Sequence, residues 1–76
     1  METFAEVILD LGKSASPHRW SRKGWNGPGQ FIEVQRPDTH SKMTKPYLFI
    51  NTVQCDRIPW APSQTDLLAE DWYIVT

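Results

Sequence analysis

Apolar residues recur along this chain first with the period of a helix and then with the periods of strands. Phe4, Val7, Ile8 and Leu11 fall at i, i+3, i+4 and i+7, one stripe of an amphipathic helix over residues 3 to 11. Thr3 followed by Glu6 has the spacing of a capping box at its start, and Gly12 is placed to stop it. After the loop K-S-A-S-P, Pro17 to Lys23 reads as a strand with His18, Trp20 and Arg22 on one side and Arg19, Ser21 and Lys23 on the other. That polar face suits either the wall of a site or a solvated edge strand. The G-W-N-G-P-G stretch at 24 to 29 carries the Asn26-Gly27 tight-turn dipeptide, and Gln30 to Arg36 is a strand built on Phe31, Ile32 and Val34. Residues 18 to 36 are therefore expected to form a hairpin with a glycine-rich tip.

Pro37 to Pro46 is a polar loop bracketed by prolines, with His40 exposed in it. Tyr47 to Val53 is the strongest strand of the chain and is apolar on both faces, as an interior strand would be. Gln54 to Arg57 is a polar turn, and Ile58-Pro59-Trp60 is short and extended, its proline marking an edge or a bend. Ser63 and Asp66 repeat the capping spacing ahead of a helix of at most two turns, with Leu67, Leu68 and Ala69 as its apolar side. Tyr73-Ile74-Val75 closes the chain as a last strand. The fold class that follows is α+β: a small antiparallel sheet of about four or five strands, an N-terminal helix and a short C-terminal helix.

Size and charge narrow the picture. With 76 residues the chain holds one domain, residues 1–76, small enough that self-association is the expected support for its core. Cys55 is the single cysteine, so no intrachain disulfide forms, and His18 and His40 do not stand at metal-ligand spacing with it; no metal is expected. A net charge of −1 argues against a binder of long nucleic acid. The sequence shows no signal peptide and no bilayer-spanning run, and with its lone thiol it reads as cytoplasmic.

Chemistry enters through the aromatic residues. Four tryptophans in a chain this short are an anomaly, and Trp25, Trp60, Trp72, Phe31 and Tyr47 are candidates for stacking. Asn26, Ser63, Gln64 and the backbone around Gly27 and Gly29 supply hydrogen-bond groups, while Arg19, Arg22 and Arg36 could meet phosphates. The N–H groups at the start of the Ser63 helix suit an anion. This set fits a planar, phosphorylated ligand; the same tryptophans would equally serve to join subunits. Asp66, Glu70 and Asp71 offer paired carboxylates, but no nucleophile elbow, triad order or P-loop accompanies them, so no catalytic residue is assigned.

The strings F-x-E-x-I-x-x-L with G-K (Phe4, Glu6, Ile8, Leu11, Gly12, Lys13), R-x-G-W-N-G-x-G-x-F (Arg22 to Phe31), P-Y (Pro46, Tyr47) and P-W-x-P-S-Q-x-D-L-L-A-E-D-W (Pro59 to Trp72) resemble the type-two Thoeris anti-defence family over almost the whole chain. The resemblance implies a small phage protein, acting in the host bacterial cytoplasm, that sequesters cyclic nucleotide immune signals without cleaving them. It implies a sponge for glycocyclic ADP-ribose of Thoeris defence, with cyclic dinucleotides of CBASS defence as further ligands of some members. It also implies a homotetramer with sites between subunits, and no cofactor. On that reading the ligand-binding residues are Arg22, Trp25, Asn26, Gly27, Phe31, Tyr47, Trp60, Ser63, Gln64, Asp66 and Asp71. Trp25 and Trp60 would stack, Asn26, Ser63 and Gln64 would bond polar edges, and Arg22 would meet phosphate. Asp66 and Asp71 would either bond ribose hydroxyls or brace the fold. The chain departs from the family pattern in a longer link between Lys13 and Arg22 and a shorter loop from Pro37 to Pro46, which leaves the identity of the cyclic nucleotide open. The competing class is a structural or interaction protein of a phage with no nucleotide ligand.

Overall fold

A computed structural model describes residues 2–13, 16–26 and 29–75. Helix α1 (Phe4–Leu11) is followed by strands β1 (Arg19–Arg22), β2 (Phe31–Gln35), β3 (Tyr47–Asn51) and β4 (Arg57–Pro59), then helix α2 (Gln64–Leu68) and strand β5 (Trp72–Val75). The five strands form one antiparallel sheet in the order β4-β3-β2-β1-β5. The expected hairpin is present, with Trp20 opposite Ile32. β1 is not an edge strand, because β5 pairs along its other side from Arg19↔Val75 to Arg22↔Trp72. The edges are β4, where Pro59 lacks an N–H to give a further strand, and β5.

Pleating sorts the strands into two faces. Trp20, Ile32 and Trp72 point to the face covered by Phe4, Val7 and Leu11 of α1, and with them make the core. Val34, Leu48, Ile50, Trp25, Trp60 and Ala69 close around it. Arg19, Ser21, Phe31, Glu33, Tyr47 and Phe49 alternate onto the opposite face, which carries neither helix. There Arg19 pairs with Glu33 and lies over the Phe31 ring at 4.8 Å.

α1 is held to the sheet by a polar tie at its far end. The Asp10 carboxylate accepts the Trp20 Nε1–H at 2.8 Å and the Ser16 hydroxyl at 3.2 Å, and stands 2.9 Å from His18 Nδ1. Arg36 donates to the carbonyls of Leu11 and Lys13 just beyond, closing the helix's C-terminal end in place of a left-handed glycine. Gly12 indeed keeps right-handed angles, φ −73° and ψ −13°. Gly12 is nonetheless the C-cap, where the helix was expected to stop, and two expectations for this helix are corrected. Thr3 makes no side-chain cap bond, because its N-terminal flank is anchored instead by Glu2, which exchanges two backbone bonds with Trp72. Ile8, on the expected apolar stripe, is 46% exposed, because the helix rests on the sheet through Phe4, Val7 and Leu11.

The two ends of the chain's two helices therefore differ in kind. Ser63 forms a complete capping box with Asp66: its hydroxyl accepts the Asp66 N–H, and the Asp66 carboxylate accepts the Ser63 N–H. Ser63→Ala should lower stability in urea unfolding by about 1 kcal/mol or more, and Thr3→Ala by no more than about 0.5 kcal/mol. Cys55 adopts φ 65° in the tight turn between β3 and β4, where its N–H bonds to the Thr52 carbonyl. That left-handed backbone strains any residue with a Cβ, so Cys55→Gly should leave the protein as stable or raise its unfolding midpoint.

Candidate functional site

The segment from Trp60 to Asp71 has to travel from the β4 edge of the sheet to the β5 edge, and it does so on the α1-covered face. On the way it meets the end of β1 and the start of the glycine-rich tip. Asp66 is the meeting point. One of its oxygens accepts Arg22 Nη1 at 2.8 Å and Trp25 Nε1 at 3.0 Å. The other accepts the Ser63 N–H and the Ser63 hydroxyl, each at 3.0 Å. Its backbone carbonyl accepts the indole N–H of Trp72, also at 3.0 Å. Asp66 is buried, and every donor it faces comes from a different stage of the chain or from its own cap. A carboxylate can stay ionised in such a place only because several donors replace the water it has lost.

Arg22 links this group to Asp71. Its Nε donates to Asp71 Oδ1 at 2.8 Å, and the other Asp71 oxygen accepts the Gly24 N–H at 2.8 Å. A Cβ on Gly24 would come within 3.0 Å of that oxygen and 3.1 Å of Arg22 Nη2, so the absence of a side chain permits the clamp. The Arg22 side chain is only 12% exposed and Asp66 only 11%, while Asp71 is 30% exposed.

Protonation follows from these contacts. Burial pushes Asp66 upward, but the Ser63 N–H, Trp25, Arg22 and the Ser63 hydroxyl together hold its pKa below the ordinary carboxylate value. Asp71 is held low chiefly by the bond from Arg22, against a smaller effect of burial and with help from the Gly24 N–H. Asp10 is lowered too: burial opposes, and the bonds from Trp20, His18 and Ser16 prevail. Arg22 in turn is raised, first by its bond to Asp71.

Around this polar group stands an aromatic cluster. Trp72 is fully buried at its centre, with Phe4 at 5.4 Å and Trp25 at 5.2 Å between ring centroids. Trp60 packs 6.2 Å from Trp72 and 6.1 Å from Trp25, its plane at 70° to that of Trp25. Trp25 and Trp60 are each half-buried, so they form an edge-to-face corner at the surface, not a parallel slot.

The structure thus brings Arg22, Trp25, Trp60, Ser63, Gln64, Asp66 and Asp71 to one end of the sheet. Asn26 is exposed beside Trp25 on the tip, and Gln64 is exposed at the first position of α2. Gly27, with Pro28, lies outside the described residues. Phe31 and Tyr47 do not join the group, since the pleat sets them on the opposite face from Ile32 and Leu48. Of the other candidate phosphate binders, Arg19 belongs to that opposite face and Arg36 to the end of α1. The expected anion seat at the start of α2 is filled by the Asp66 side chain, and the Ser63 hydroxyl is committed to the same cap. Trp72, a stacking candidate from the sequence, is wholly buried and seats the cluster from within instead of facing a ligand; Gly24 is the structural member that side-chain reasoning passed over, and the R-x-G spacing before Trp25 is its only sign. A groove of about 670 Å³ runs elsewhere, between α1 and β5, lined by Glu2, Glu6, Leu9, Asp10, Tyr73 and Ile74 among others.

Comparison with known proteins agrees with the extent of the motifs. A family model for the Thoeris anti-defense 2-like domain matches residues 3–75. A protein of Bacillus phage SP01 described as Thoeris anti-defense 2 is 35% identical over 87 aligned positions, covering 97% of this chain and 94% of its own length.

Removing the Asp66 carboxylate leaves buried Arg22 Nη1 and the Trp25 indole N–H without their acceptor, so Asp66→Ala should cost about 3–5 kcal/mol in urea unfolding. The three lowered carboxylates set the pH response. The unfolded chain takes up their protons at the ordinary value, 3.8, before the folded chain does. Their stabilisation is therefore intact above that range and falls away as pH drops below about 4 and through the lowered folded values. Unfolding midpoints measured from pH 7 to pH 2 should fall steeply only in that acid window.

Proposed function

Since the chain belongs to the Thoeris anti-defense 2-like family, we propose that it is a phage anti-defence protein that captures a cyclic nucleotide immune signal and holds it uncleaved. The match over residues 3–75 carries this reading, and the corner of Trp25 and Trp60 gives it a place to act. The ligand class is glycocyclic ADP-ribose, with cyclic dinucleotides as the second candidates. A base lies against the face of one indole and meets the edge of the other, an arrangement that favours one seated orientation over a sliding stack. Exposed Asn26 and Gln64 flank the corner and bond the polar edges of the base. Arg22 and the Gly24 N–H stand at the anionic side, and Asp66 acts from beneath by fixing the direction of Trp25 and Arg22. No step of bond breaking is needed: capture blocks signalling through tight binding and slow release.

The protein works as a homo-oligomer, a tetramer, in the host cytoplasm. Ile58, Leu67 and Leu68 support this assembly: they are 50%, 45% and 81% exposed, an apolar surface that a lone domain of this size leaves to water at a cost. The face carrying Phe31 and Tyr47 has no helix over it, and a second subunit there would bring those two rings into a shared site.

Calorimetry against glycocyclic ADP-ribose and a panel of cyclic dinucleotides should find one tight ligand. Heating the complex should return that ligand chemically intact by chromatography. Trp25→Ala should weaken binding by at least about tenfold, the loss expected for one stacked base, while leaving the far-ultraviolet spectrum unchanged. Light scattering should give about four times the chain mass of 8.8 kDa. Failure of every panel member to bind sinks the capture reading and favours a structural phage protein; an altered ligand after heating points to an enzyme.

A further inference from the structure

Two of the groups that the sequence offers to an anion, the start of α2 and Arg22, are already occupied by the carboxylates of Asp66 and Asp71, but not in the same way. Asp66 is buried, 11% exposed at its side chain, and receives four hydrogen bonds on its two oxygens. Asp71 is 30% exposed and receives two side-chain-directed bonds, one on each oxygen, from Arg22 Nε and the Gly24 N–H, both at 2.8 Å. Two donors converging on the two oxygens of one carboxylate is the geometry with which an arginine and a neighbouring amide hold a phosphate edge. Arg22 Nη2 has no protein partner among the described residues. The cradle therefore has two filled positions and one donor left open beside them, and Gly24 keeps it clear of any Cβ.

We infer that Asp71 is a built-in stand-in anion, seated in a phosphate cradle made by Arg22 and the Gly24 N–H, and that an incoming phosphate must displace it. Asp66 stays in place as the permanent counter-ion. With both acids seated the cluster carries one positive and two negative charges and repels an anion; with Asp71 swung out to solvent, Arg22 is neutralised once only and Gly24 offers its N–H. The stand-in keeps Arg22 aligned when no ligand is present and sets a threshold against small free anions. A ligand that also stacks on Trp25, next to Gly24 in sequence, brings the extra interaction needed to cross it. The identity of the natural anion as a cyclic nucleotide rests on the capture reading above; the cradle itself does not.

The apparent affinity for an anion is reduced by the fraction of time that Asp71 leaves the cradle free. Inorganic phosphate is titrated at constant ionic strength into the wild-type protein, Asp71→Asn and Glu70→Gln, following the Gly24 amide and Arg22 Nε–H signals by NMR. Glu70 is the adjacent exposed acid and has no part in the clamp, so Glu70→Gln changes net charge equally. The expected result is movement of both signals with a midpoint at least about tenfold lower in Asp71→Asn than in the other two. Equal midpoints in all three proteins, equal tightening in Glu70→Gln, or movement confined to other residues overturns the inference. Should Asp71→Asn not fold, the wild-type protein decides: the Asp71 carboxyl carbon must move together with Gly24 and Arg22 at high phosphate, and a static carboxyl overturns it. Phosphate entering the cradle while no cyclic nucleotide binds removes the capture reading and leaves this inference standing. A cyclic nucleotide that binds without moving Gly24 or Arg22 does the reverse.

Discussion

One buried carboxylate holds this small protein together. Asp66 caps its own helix, orients Trp25, receives Arg22 and, through its carbonyl, seats the central indole of Trp72. A charge in such a place is unfavourable unless its donors are all in position. Each donor is therefore constrained by the others: β1 through Arg22, the tip through Trp25, the crossover through Ser63 and β5 through Trp72. The core cluster of Phe4, Val7, Leu11, Trp20, Ile32 and Trp72 provides the non-directional part of the stability. Asp66 provides the direction, telling β1 and the tip, more than 40 residues away in the chain, how to meet the crossover.

Fold and site are consequently the same construction. The half-buried corner of Trp25 and Trp60 exists because Trp72 fills the space beneath it and Asp66 holds one indole by its N–H. The price is that the charged groups nearest the corner are already engaged with one another.

Much of the architecture was legible in the chain. The hairpin between β1 and β2, the interior position of β3, the proline-marked edge at β4 and the Ser63 cap all follow from residue type and spacing, because each is decided by neighbours in sequence. The errors have one origin. Thr3 and Ser63 present the same capping spacing, yet only Ser63 caps; Glu2 is bound to β5, a partner 70 residues away in the chain, and that anchor replaces the cap. Ile8 has the right period for the core, but α1 meets the sheet through the side that carries Phe4, Val7 and Leu11, and Ile8 falls beside that contact. Strand pairing also decides, as residue type does not, that within one chain Phe31 and Tyr47 lie on the sheet face opposite Trp25 and Trp60.

By itself, then, the sequence determined the elements, the kinship and the cast of aromatic and acidic residues, since periodicity, caps and motif strings are local properties of the chain. Only the tertiary structure decided which protein groups the acids meet. Whether Asp66 and Asp71 touch a ligand or the protein depends on where Arg22 and Gly24 stand relative to them, more than 40 positions away. Spacing carries no information about that distance; the crossover from β4 to β5 creates it. Within the protein both acids are braces, and the more exposed of the two is the one whose partners are also those of a phosphate.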